Sequence, residues 1–286
     1  MGHNKTPKIL VVGANSFIGS HLISLLKPHF SVTGIYHKNK SNLYPDIENV
    51  SMTEIDSLED GFDFVYLMSA YIPAGTGLTD AERKTMFEVN IEVTKKICTA
   101  FPNSKIIYCS SVSVYSNSPN AITEADVAGG SGEYGISKLW GEYTVRQMPR
   151  FAIVRCSSVY GKRMNSATII PAFVKQGLTG NITIRGNGNR QQNYIHVSDV
   201  VEILIRSAKF QGNDIFLATG RESISNIALA QLVKSETGCR IVFEGEDLSP
   251  SFFYNNKQTV RKLEYVPQVR IKDGIKEIIQ WTKEAY

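Results

Sequence analysis

Short apolar runs alternate with longer amphipathic stretches through most of the chain, and this alternation constrains the fold more than any other feature. In the first run, residues 9–12 are all aliphatic and Gly13 ends it, which is typical of a strand covered on both faces of a parallel sheet. Further apolar runs lie at 32–36, 64–68, 106–109, 151–155 and 215–218, with helical patterns at 16–26, 81–100, 134–148 and 197–209. The alternation predicts βαβ units and hence an α/β fold with a doubly wound parallel sheet, which binds ligands beyond the carboxyl ends of its strands.

The composition argues against several classes of protein. Of the 286 residues, 42% are apolar and 20% are charged, as in ordinary globular proteins. The formal net charge is +4 and the basic residues form no run, so we expect no nucleic-acid partner and no polybasic membrane anchor. No apolar stretch approaches the roughly 20 residues that span a bilayer. The four cysteines contain no CxxC pair, so we expect no metal site and a reduced, cytoplasmic setting.

A loop with a glycine at each end joins the first predicted strand to the first predicted helix. Residues 13–19 read Gly-Ala-Asn-Ser-Phe-Ile-Gly. The first glycine permits the tight turn, the free N–H groups of the helix start suit a pyrophosphate, and the last glycine lets the helix lie close to the strand. Ser16 stands where such loops usually have glycine, and its hydroxyl suits helix capping or a phosphate oxygen. The loop predicts dinucleotide binding by Gly13, Asn15, Ser16, Phe17, Ile18 and Gly19.

The residues that follow the second predicted strand bear on which dinucleotide is bound. In NAD-selective proteins an Asp or Glu at this place takes the ribose 2′-hydroxyl. This chain has His37 and Lys38 and no carboxylate there, and these side chains complement a 2′-phosphate. The sequence therefore favours NADP, with NAD as the alternative. A rival interpretation is that both residues are solvated and indifferent to the cofactor.

Tyr134 and Lys138 stand four residues apart in a predicted helix, so both side chains project from one face. A nearby ammonium favours the phenolate and brings the phenol pKa from about 10 toward the pH of general acid–base catalysis. Taken alone, such a spacing is usually that of a solvated helix face. Here it follows a strand end at 108–115 that carries several hydroxyls, among them Ser111 and Ser113. We therefore predict that a hydroxyl, a phenol and a lysine converge.

The chain resembles the extended short-chain dehydrogenase/reductases, a family of NAD(P)-dependent nucleotide-sugar epimerases, dehydratases and reductases, over almost its whole length. The resemblance rests on segments that occur in the family's order: 13–19, 63–70, Asn90, 108–115, Tyr134 with Lys138, 155–161, 170–171, 186–188 and 194–200. It implies a Rossmann-type fold for the doubly wound sheet, and an enzyme that acts on a nucleotide-activated sugar.

The resemblance also implies roles for single residues. Ser111 is similar to the family's catalytic Ser/Thr, Tyr134 to its general acid or base, and Lys138 to the lysine that bonds the nicotinamide ribose and lowers the tyrosine pKa. The further implied positions are, for the cofactor, Leu67, Ser69, Ala70, Ser158 and Val159 and, for the substrate, Ser111, Ser113, Tyr134, Arg190 and Gln192.

Departures from the family pattern limit the activities that we expect of this chain. Dehydratases of the family carry an acidic pair directly after the catalytic Ser/Thr, whereas this chain has Val112 and Ser113, so a 4,6-dehydratase is not expected. Where many members have an arginine that clamps the nucleotide diphosphate, this chain has Gln192. Arg190, two residues earlier, can supply the bidentate phosphate grip that glutamine cannot.

The regular alternation breaks up after about residue 160. A turn at 186–189 and an aromatic, polar stretch at 245–257 show no clean period. We expect residues 1–160, completed by about 196–220, to form a dinucleotide-binding Rossmann domain. Residues 161–195 and 221–286 are expected to form mainly a small C-terminal α/β lobe that binds the substrate.

The first expectation for the activity is reduction of a 4-keto-6-deoxy nucleotide sugar by NADPH, because a reductase must draw on an exchangeable reduced cofactor and His37 with Lys38 suits a 2′-phosphate. The alternative within the family is a nucleotide-sugar 4-epimerase with a retained NAD. An alternative of another class is a non-catalytic NAD(P)-binding regulatory protein, which the complete set of Ser111, Tyr134 and Lys138 disfavours.

Two predicted helices are apolar on more than one side, which indicates a homodimer. The apolar positions are Phe87, Val89, Ile91, Val93 and Ile97 on the first helix and Leu139, Trp140, Tyr143 and Met148 on the second. Paired across a two-fold axis, two such helices from each chain make a four-helix interface. The family resemblance implies the same association.

Overall fold

The computed structural model describes residues 6–73 and 77–285. Its strands, in chain order, are β1 (Lys8–Val12), β2 (Ser31–Tyr36), β3 (Glu48–Ser51), β4 (Phe64–Leu67), β5 (Lys105–Ser111), β6 (Phe151–Cys156), β7 (Ser158–Tyr160), β8 (Asn181–Arg185), β9 (Gln191–His196), β10 (Asp214–Ala218), β11 (Ser223–Ser225) and β12 (Arg240–Glu244). The α-helices are α1 (Phe17–Leu26), α2 (Asp80–Phe87), α3 (Val93–Ala100), α4 (Gly132–Arg146), α5 (Ile169–Leu178), α6 (Val197–Lys209), α7 (Asn226–Thr237), α8 (Lys257–Leu263) and α9 (Ile271–Ala285).

The central sheet has seven strands in the order β3-β2-β1-β4-β5-β6-β10. The registers that join β3, β2, β1, β4 and β5 are all parallel, with Val12 opposite Ile35 on one side and Leu67 on the other. This is the order of the doubly wound nucleotide-binding fold, so the predicted Rossmann-type sheet is confirmed. The strand order reverses at β1, and the carboxyl end of β1 is therefore the place where such sheets bind ligands.

The hydrophobic core explains why the first strand reads as an unbroken apolar run. Residues 9–12 are all buried, because β1 lies in the middle of the sheet with layers on both faces. Leu10 and Val12 belong to a core cluster that includes Ile106 from β5 and Ile153 from β6. Burial of each such side chain stabilises the fold by roughly 1.5–3 kcal/mol relative to exposure.

The predicted helix over 81–100 is interrupted. A π-helical segment, Glu88–Glu92, separates α2 from α3. Within it Asn90 is buried, accepts a hydrogen bond from the Tyr71 N–H at 2.7 Å and donates to the Tyr71 carbonyl at 3.1 Å. The wider turn is thus accompanied by an internal polar contact that an apolar periodicity cannot reveal.

The structure divides into two compact units. The first contains the described residues up to Ser116 with Val127–Arg155 and Val201–Phe216, and the second contains Asn117–Asp126, Cys156–Val200 and the described residues from Leu217 onward. The second unit holds a three-stranded sheet, β11-β9-β7, and a two-stranded parallel sheet of β12 and β8. The domain boundaries expected from the sequence stay a prediction; the compact units differ from them in placing 117–126, 156–160, 196–200 and 217–220 in the second unit.

In the part of the chain that the structure describes, none of the helices combines the length and apolarity needed to span a membrane. The same residues contain no cluster of three or more His, Cys, Asp or Glu arranged to hold a metal ion.

Candidate active site

The loop between β1 and α1 needs glycine at both ends. Gly13 has a φ of +88°, and a Cβ there would lie 2.7 Å from the Ser69 nitrogen. A Cβ on Gly19 would lie 2.2 Å from the carbonyl oxygen of Gly13. The loop, the start of α1 and the segment after β4 therefore approach one another so closely that no side chain fits between them.

Ser16 is the N-cap of α1. Its hydroxyl oxygen accepts a hydrogen bond from the Gly19 N–H at 3.1 Å. Capping by one side chain leaves other N–H groups of the first turn, at Phe17 and Ile18, without a partner inside the helix. With the positive end of the helix dipole, these groups fit a pyrophosphate. The residues present therefore suit the dinucleotide predicted from the sequence.

Asn15 has a structural contact within the protein, and its predicted contact with a cofactor stays a prediction. Its side-chain amide donates to the carbonyl of Asn39 at 2.7 Å, which ties the loop to the segment after β2. His37 and Lys38 belong to this segment, just beyond the end of β2, and both are exposed. Both side chains are therefore available at the surface near the loop.

The cofactor positions implied after β4 differ in their surroundings. Ser69 lies against Gly13, and Ala70 is exposed. The side chain of Leu67 is buried in the core cluster, which leaves its backbone as the part able to reach a ligand.

Ser111, Tyr134 and Lys138 come together in the first unit. Ser111 ends β5, accepts a hydrogen bond from the Ser113 N–H at 3.1 Å and donates to the Ser113 hydroxyl at 3.1 Å. Its hydroxyl lies close enough to the Tyr134 phenol to lower, like the Lys138 ammonium, the pKa of Tyr134. The structure thus brings together the hydroxyl, the phenol and the lysine, as the sequence predicts.

Burial dominates the protonation of Tyr134. It raises the pKa of the phenol to about 12, against the opposing effects of Lys138 and Ser111. In the protein alone the phenol is therefore protonated at neutral pH and can donate a proton. To accept one, it needs added positive charge or stronger hydrogen bonding at its oxygen.

The ammonium of Lys138 is enclosed and unsatisfied. The residue is 1% exposed, and none of the described residues accepts a hydrogen bond from its Nζ. Nζ lies 4.1 Å from the centroid of the Tyr108 ring, a cation–π contact that offsets part of the cost of burial. Three N–H donors in a buried place fit the hydroxyls of a bound ribose, as the family resemblance implies.

Two buried charged residues beside this site were not recognised from the sequence. Glu142 lies one helical turn beyond Lys138 on α4, and Arg155 lies in β6. Two nitrogens of Arg155 donate to the two carboxylate oxygens of Glu142, at 2.9 and 2.6 Å. An arginine at the end of the apolar run 151–155 was the available signal, since a charge in a buried strand requires a partner.

Arg190 and Gln192, which are predicted to contact the substrate, lie in different surroundings within the second unit. A cavity of about 700 Å³ is lined by Arg190, together with Arg185, Asn226 and Asp247. Gln192 is not among the lining residues, and its amide donates to the Asn226 side chain at 2.9 Å. Of these two predicted substrate contacts, Arg190 lines the cavity and Gln192 does not.

Ser158 and Val159, implied as neighbours of the nicotinamide, lie in β7. This strand pairs in parallel with β9, which places Ser158 opposite Tyr194 and Val159 opposite Ile195. Ser158 is exposed within its unit. Contact of either residue with a cofactor stays a prediction.

Several known proteins are similar to this chain along nearly its full length. The UDP-N-acetyl-alpha-D-glucosaminuronate decarboxylase of Bacillus cytotoxicus is 28% identical, over 97% of this chain and 98% of the relative. The crystal structure of UDP-glucuronic acid 4-epimerase from Bacillus cereus in complex with NAD has a TM-score of 0.85 at 25% identity and covers 98% of this chain and 97% of its own.

A more distant structure has the same fold. UDP-glucose 4-epimerase from Thermotoga maritima, solved with UDP-glucose, gives a TM-score of 0.86 at 20% identity, over 97% of this chain and 99% of its own. The model of the NAD dependent epimerase/dehydratase family matches residues 9–217. The glycine loop and the Ser111, Tyr134 and Lys138 set lie inside that match, and the chain belongs to the NAD dependent epimerase/dehydratase family.

Proposed function

We propose that this protein is a nucleotide-sugar 4-epimerase that uses a nicotinamide dinucleotide held at the loop between β1 and α1. The observation that carries the proposal is the buried Lys138 ammonium, which lacks an acceptor among the described residues and stands near the Ser111–Tyr134 pair. The names of the Bacillus cereus and Thermotoga maritima structures, both UDP-sugar 4-epimerases, support this activity over the reductase that the sequence favoured.

Ser111, Tyr134 and Lys138 have different roles at one sugar hydroxyl. A bound nicotinamide supplies a site that takes a hydride from the sugar carbon and returns it. Tyr134 accepts the hydroxyl proton as the carbon is oxidised and returns the proton as it is reduced. Ser111 hydrogen-bonds the same oxygen, and Lys138 favours the phenolate. Because proton and hydride both return to the sugar, there is no net oxidation, and the carbon is inverted when the hydride is added to the opposite face of the keto sugar.

The cavity of the second unit supports a nucleotide diphosphate as the handle of the substrate. Arg190 reaches it from the turn between β8 and β9 and can grip phosphate through two N–H groups. Asp247 lies 4.0 Å from one Arg190 nitrogen, at the outer limit of an ion pair, so the guanidinium retains capacity for another anion. The amide of Gln192, bonded to Asn226, does not provide this contact.

A second candidate, an NADPH-dependent reductase of a 4-keto-6-deoxy nucleotide sugar, is favoured by one specific observation. His37 and Lys38 are exposed beyond the end of β2, and residues 37–41 contain no carboxylate to take the 2′-hydroxyl of NAD. An exposed ion pair contributes only about 0–1 kcal/mol, so Lys38 biases the cofactor choice by about fivefold at most.

One experiment separates the activities. Purified protein is incubated with UDP-glucose or UDP-glucuronic acid, with and without added NAD, and proton NMR follows formation of the C4 epimer. A parallel assay follows NADPH and NADH consumption with a 4-keto sugar nucleotide, for the native chain and Lys38→Ala. Epimer formation without net cofactor consumption supports the proposal, whereas stoichiometric NADPH oxidation would establish the reductase. Dinucleotide binding without either turnover would favour a regulatory protein.

A further inference from the structure

A buried polar network fixes the chain on both sides of Ser111. The hydroxyl of Ser110, the preceding residue, donates to Glu142 at 2.6 Å. Tyr115, four residues after Ser111, accepts a hydrogen bond from Arg155 at 2.7 Å. Arg155 and Glu142 are joined by the paired hydrogen bonds described above, so one continuous network holds both flanks of Ser111.

The network is enclosed by protein. Glu142 and Arg155 are 1% and 2% exposed. The Arg155 guanidinium also lies 4.7 Å from the centroid of the Tyr115 ring. Arg146, which is partly exposed, places a nitrogen 3.6 Å from the Glu142 carboxylate as a second cation. Loss of one partner would leave an uncompensated buried charge, so the network favours a single arrangement of its elements.

The network also joins the strand end to the catalytic helix. Glu142 follows Lys138 by four residues on α4, so both lie on one side of that helix. Ser110 and Tyr115 flank Ser111 at the end of β5, and Arg155 comes from β6. A change in the Glu142–Arg155 pair would therefore move Ser111 relative to the helix that carries Tyr134 and Lys138.

We propose that Glu142 and Arg155 are positioning residues that keep the Ser111 hydroxyl within hydrogen-bond reach of the Tyr134 phenol. This inference rests on the proposed function for its effect on turnover, because Ser111 and Tyr134 act together at the sugar hydroxyl. A misplacement of about 1 Å at such a pair can cost about a hundredfold in rate.

A displaced Ser111 would change the pH dependence of activity, whereas a loss of stability alone would not. The groups that act on the Tyr134 phenol are Lys138 on α4 and Tyr108, Cys109 and Ser111 on β5. Of these, the Ser111 hydroxyl and the Lys138 ammonium lower the pKa of Tyr134. If Ser111 moves away, the pKa of Tyr134 rises, and activity requires a higher pH.

The main test compares Glu142→Gln with the control Glu202→Gln, which alters a carboxylate of the partly exposed Arg206–Glu202 pair on α6. For Glu142→Gln we expect kcat to fall about 10- to 100-fold, with KM and dinucleotide affinity changed less than about threefold. The rising limb of the pH–rate profile should move to higher pH. An unchanged kcat and pH profile in the folded variant would refute the proposal.

Ser110→Ala covers the case in which Glu142→Gln does not fold, because it removes one hydroxyl and leaves the Glu142–Arg155 pair in place. Ultraviolet difference titration against Tyr134→Phe follows the Tyr134 phenolate without any substrate. An upward shift of that titration in Ser110→Ala supports positioning even if the native chain turns over none of the sugars tested, in which case only the proposed function fails. No shift, with the fold intact, overturns the inference.

Discussion

Lys138 brings a positive charge into a place where the described protein offers its ammonium an aromatic face and no acceptor. A buried cation in this state favours any neighbour that becomes negative, and the Tyr134 phenol is such a neighbour. It also favours a ligand that brings hydroxyl acceptors. In the proposed function, the same side chain therefore links dinucleotide binding to proton transfer.

Tyr134→Phe should abolish most turnover and leave dinucleotide binding nearly unchanged. The phenol transfers a proton in the proposed reaction but contributes little to holding the cofactor. General acid–base groups are typically worth roughly 10²–10⁴-fold in rate, so kcat should fall by that order. Steady-state kinetics and a fluorescence titration with dinucleotide measure the two quantities. Retention of half the native activity would contradict the assigned role.

Lys138→Met should weaken dinucleotide binding and also shift the pH dependence of kcat/KM. The ammonium lowers the pKa of Tyr134, so its removal raises that pKa. Activity that depends on the phenolate would then be lost more at neutral than at alkaline pH. Lys95→Met, on the exposed face of α3, is the matched control and should keep the native profile. A Lys138→Met profile parallel to the native one would show that the ammonium does not tune the phenol.

Helix α4 is held against the turn that follows Ser111. The carbonyl of Ser113 accepts hydrogen bonds from the Ser131 N–H at 2.8 Å and the Ser131 hydroxyl at 3.0 Å, just before the helix begins. A Cβ added to Gly135 would lie only 2.1 Å from the same carbonyl oxygen. The helix and the turn therefore touch through backbone atoms, and this contact fixes how near Tyr134 comes to Ser111.

Gly135→Ala should separate α4 from that turn. Since the clash is with a backbone oxygen, the helix itself must move, at a cost of about 1–3 kcal/mol in the free energy of unfolding. We expect a clear loss of kcat in protein that still binds dinucleotide. Gly61→Ala is the control, because nothing lies within 4 Å of its added Cβ. Chemical denaturation and kinetics on both variants test the prediction, and native kinetics in Gly135→Ala would contradict it.

Helix α6 ends at a buried lysine from the start of β5. The Lys105 Nζ donates to the carbonyls of Ser207 at 3.1 Å, Phe210 at 2.5 Å and Gly212 at 3.4 Å. Burial, helped by the charge of Arg150, lowers the pKa of Lys105 to about 8. In the unfolded chain a lysine titrates near 10.4. Between these values the unfolded chain binds more protons, so the free energy of unfolding contains a contribution that rises with pH.

Lys105→Met should remove that contribution. Below pH 8 both states of the native chain are protonated at Lys105 and the residue adds no pH dependence. From about pH 8 to 10 it adds a positive slope that approaches about 1.4 kcal/mol per pH unit. Urea denaturation at several pH values should give a lower slope for Lys105→Met than for the native chain or Lys95→Met. Equal slopes in all three would show that Lys105 keeps its ordinary pKa.

The sequence predicts those elements whose pattern lies within one short segment. The loop from Gly13 to Gly19 and the spacing of Tyr134 and Lys138 can be read directly, because turn geometry and helical periodicity are local. The π-helical segment at Glu88–Glu92 cannot, since its Asn90 bonds to Tyr71, 19 residues away. For the same reason the Glu142–Arg155 pair was missed, as its members belong to a helix and a strand.

The two compact units differ in how far the sequence determines them. The central sheet follows from alternation, because successive strands in βαβ units are parallel and mostly adjacent. The sheet β11-β9-β7 of the second unit joins Ser158–Tyr160, Gln191–His196 and Ser223–Ser225, which lie about 30 residues apart. Short strands paired over such distances leave no periodic signal, so the sequence predicts a lobe there without its topology.

The whole molecule exposes an apolar surface that a second copy would cover, and we propose a homodimer. Trp140 and Tyr143 on α4 are 54% and 62% exposed and pack edge to face, and Phe87 at the end of α2 is 52% exposed. Of the other residues named for this interface, Ile97 and Met148 are buried in the core of their own chain. Exposed apolar patches of this kind mark association sites.

Trp140→Glu should convert a dimer to a monomer, because each charge would appear twice in a two-fold interface and lie close to its symmetry mate. Light scattering should give about twice the chain mass of 31.8 kDa for the native protein at micromolar concentration, and the single-chain mass for the variant. Leu248→Glu is the control, since Leu248 is as apolar and more exposed but belongs to the second unit. It should remain dimeric. A native protein of single-chain mass, or a control that dissociates equally, would show that the α4 surface is not the interface.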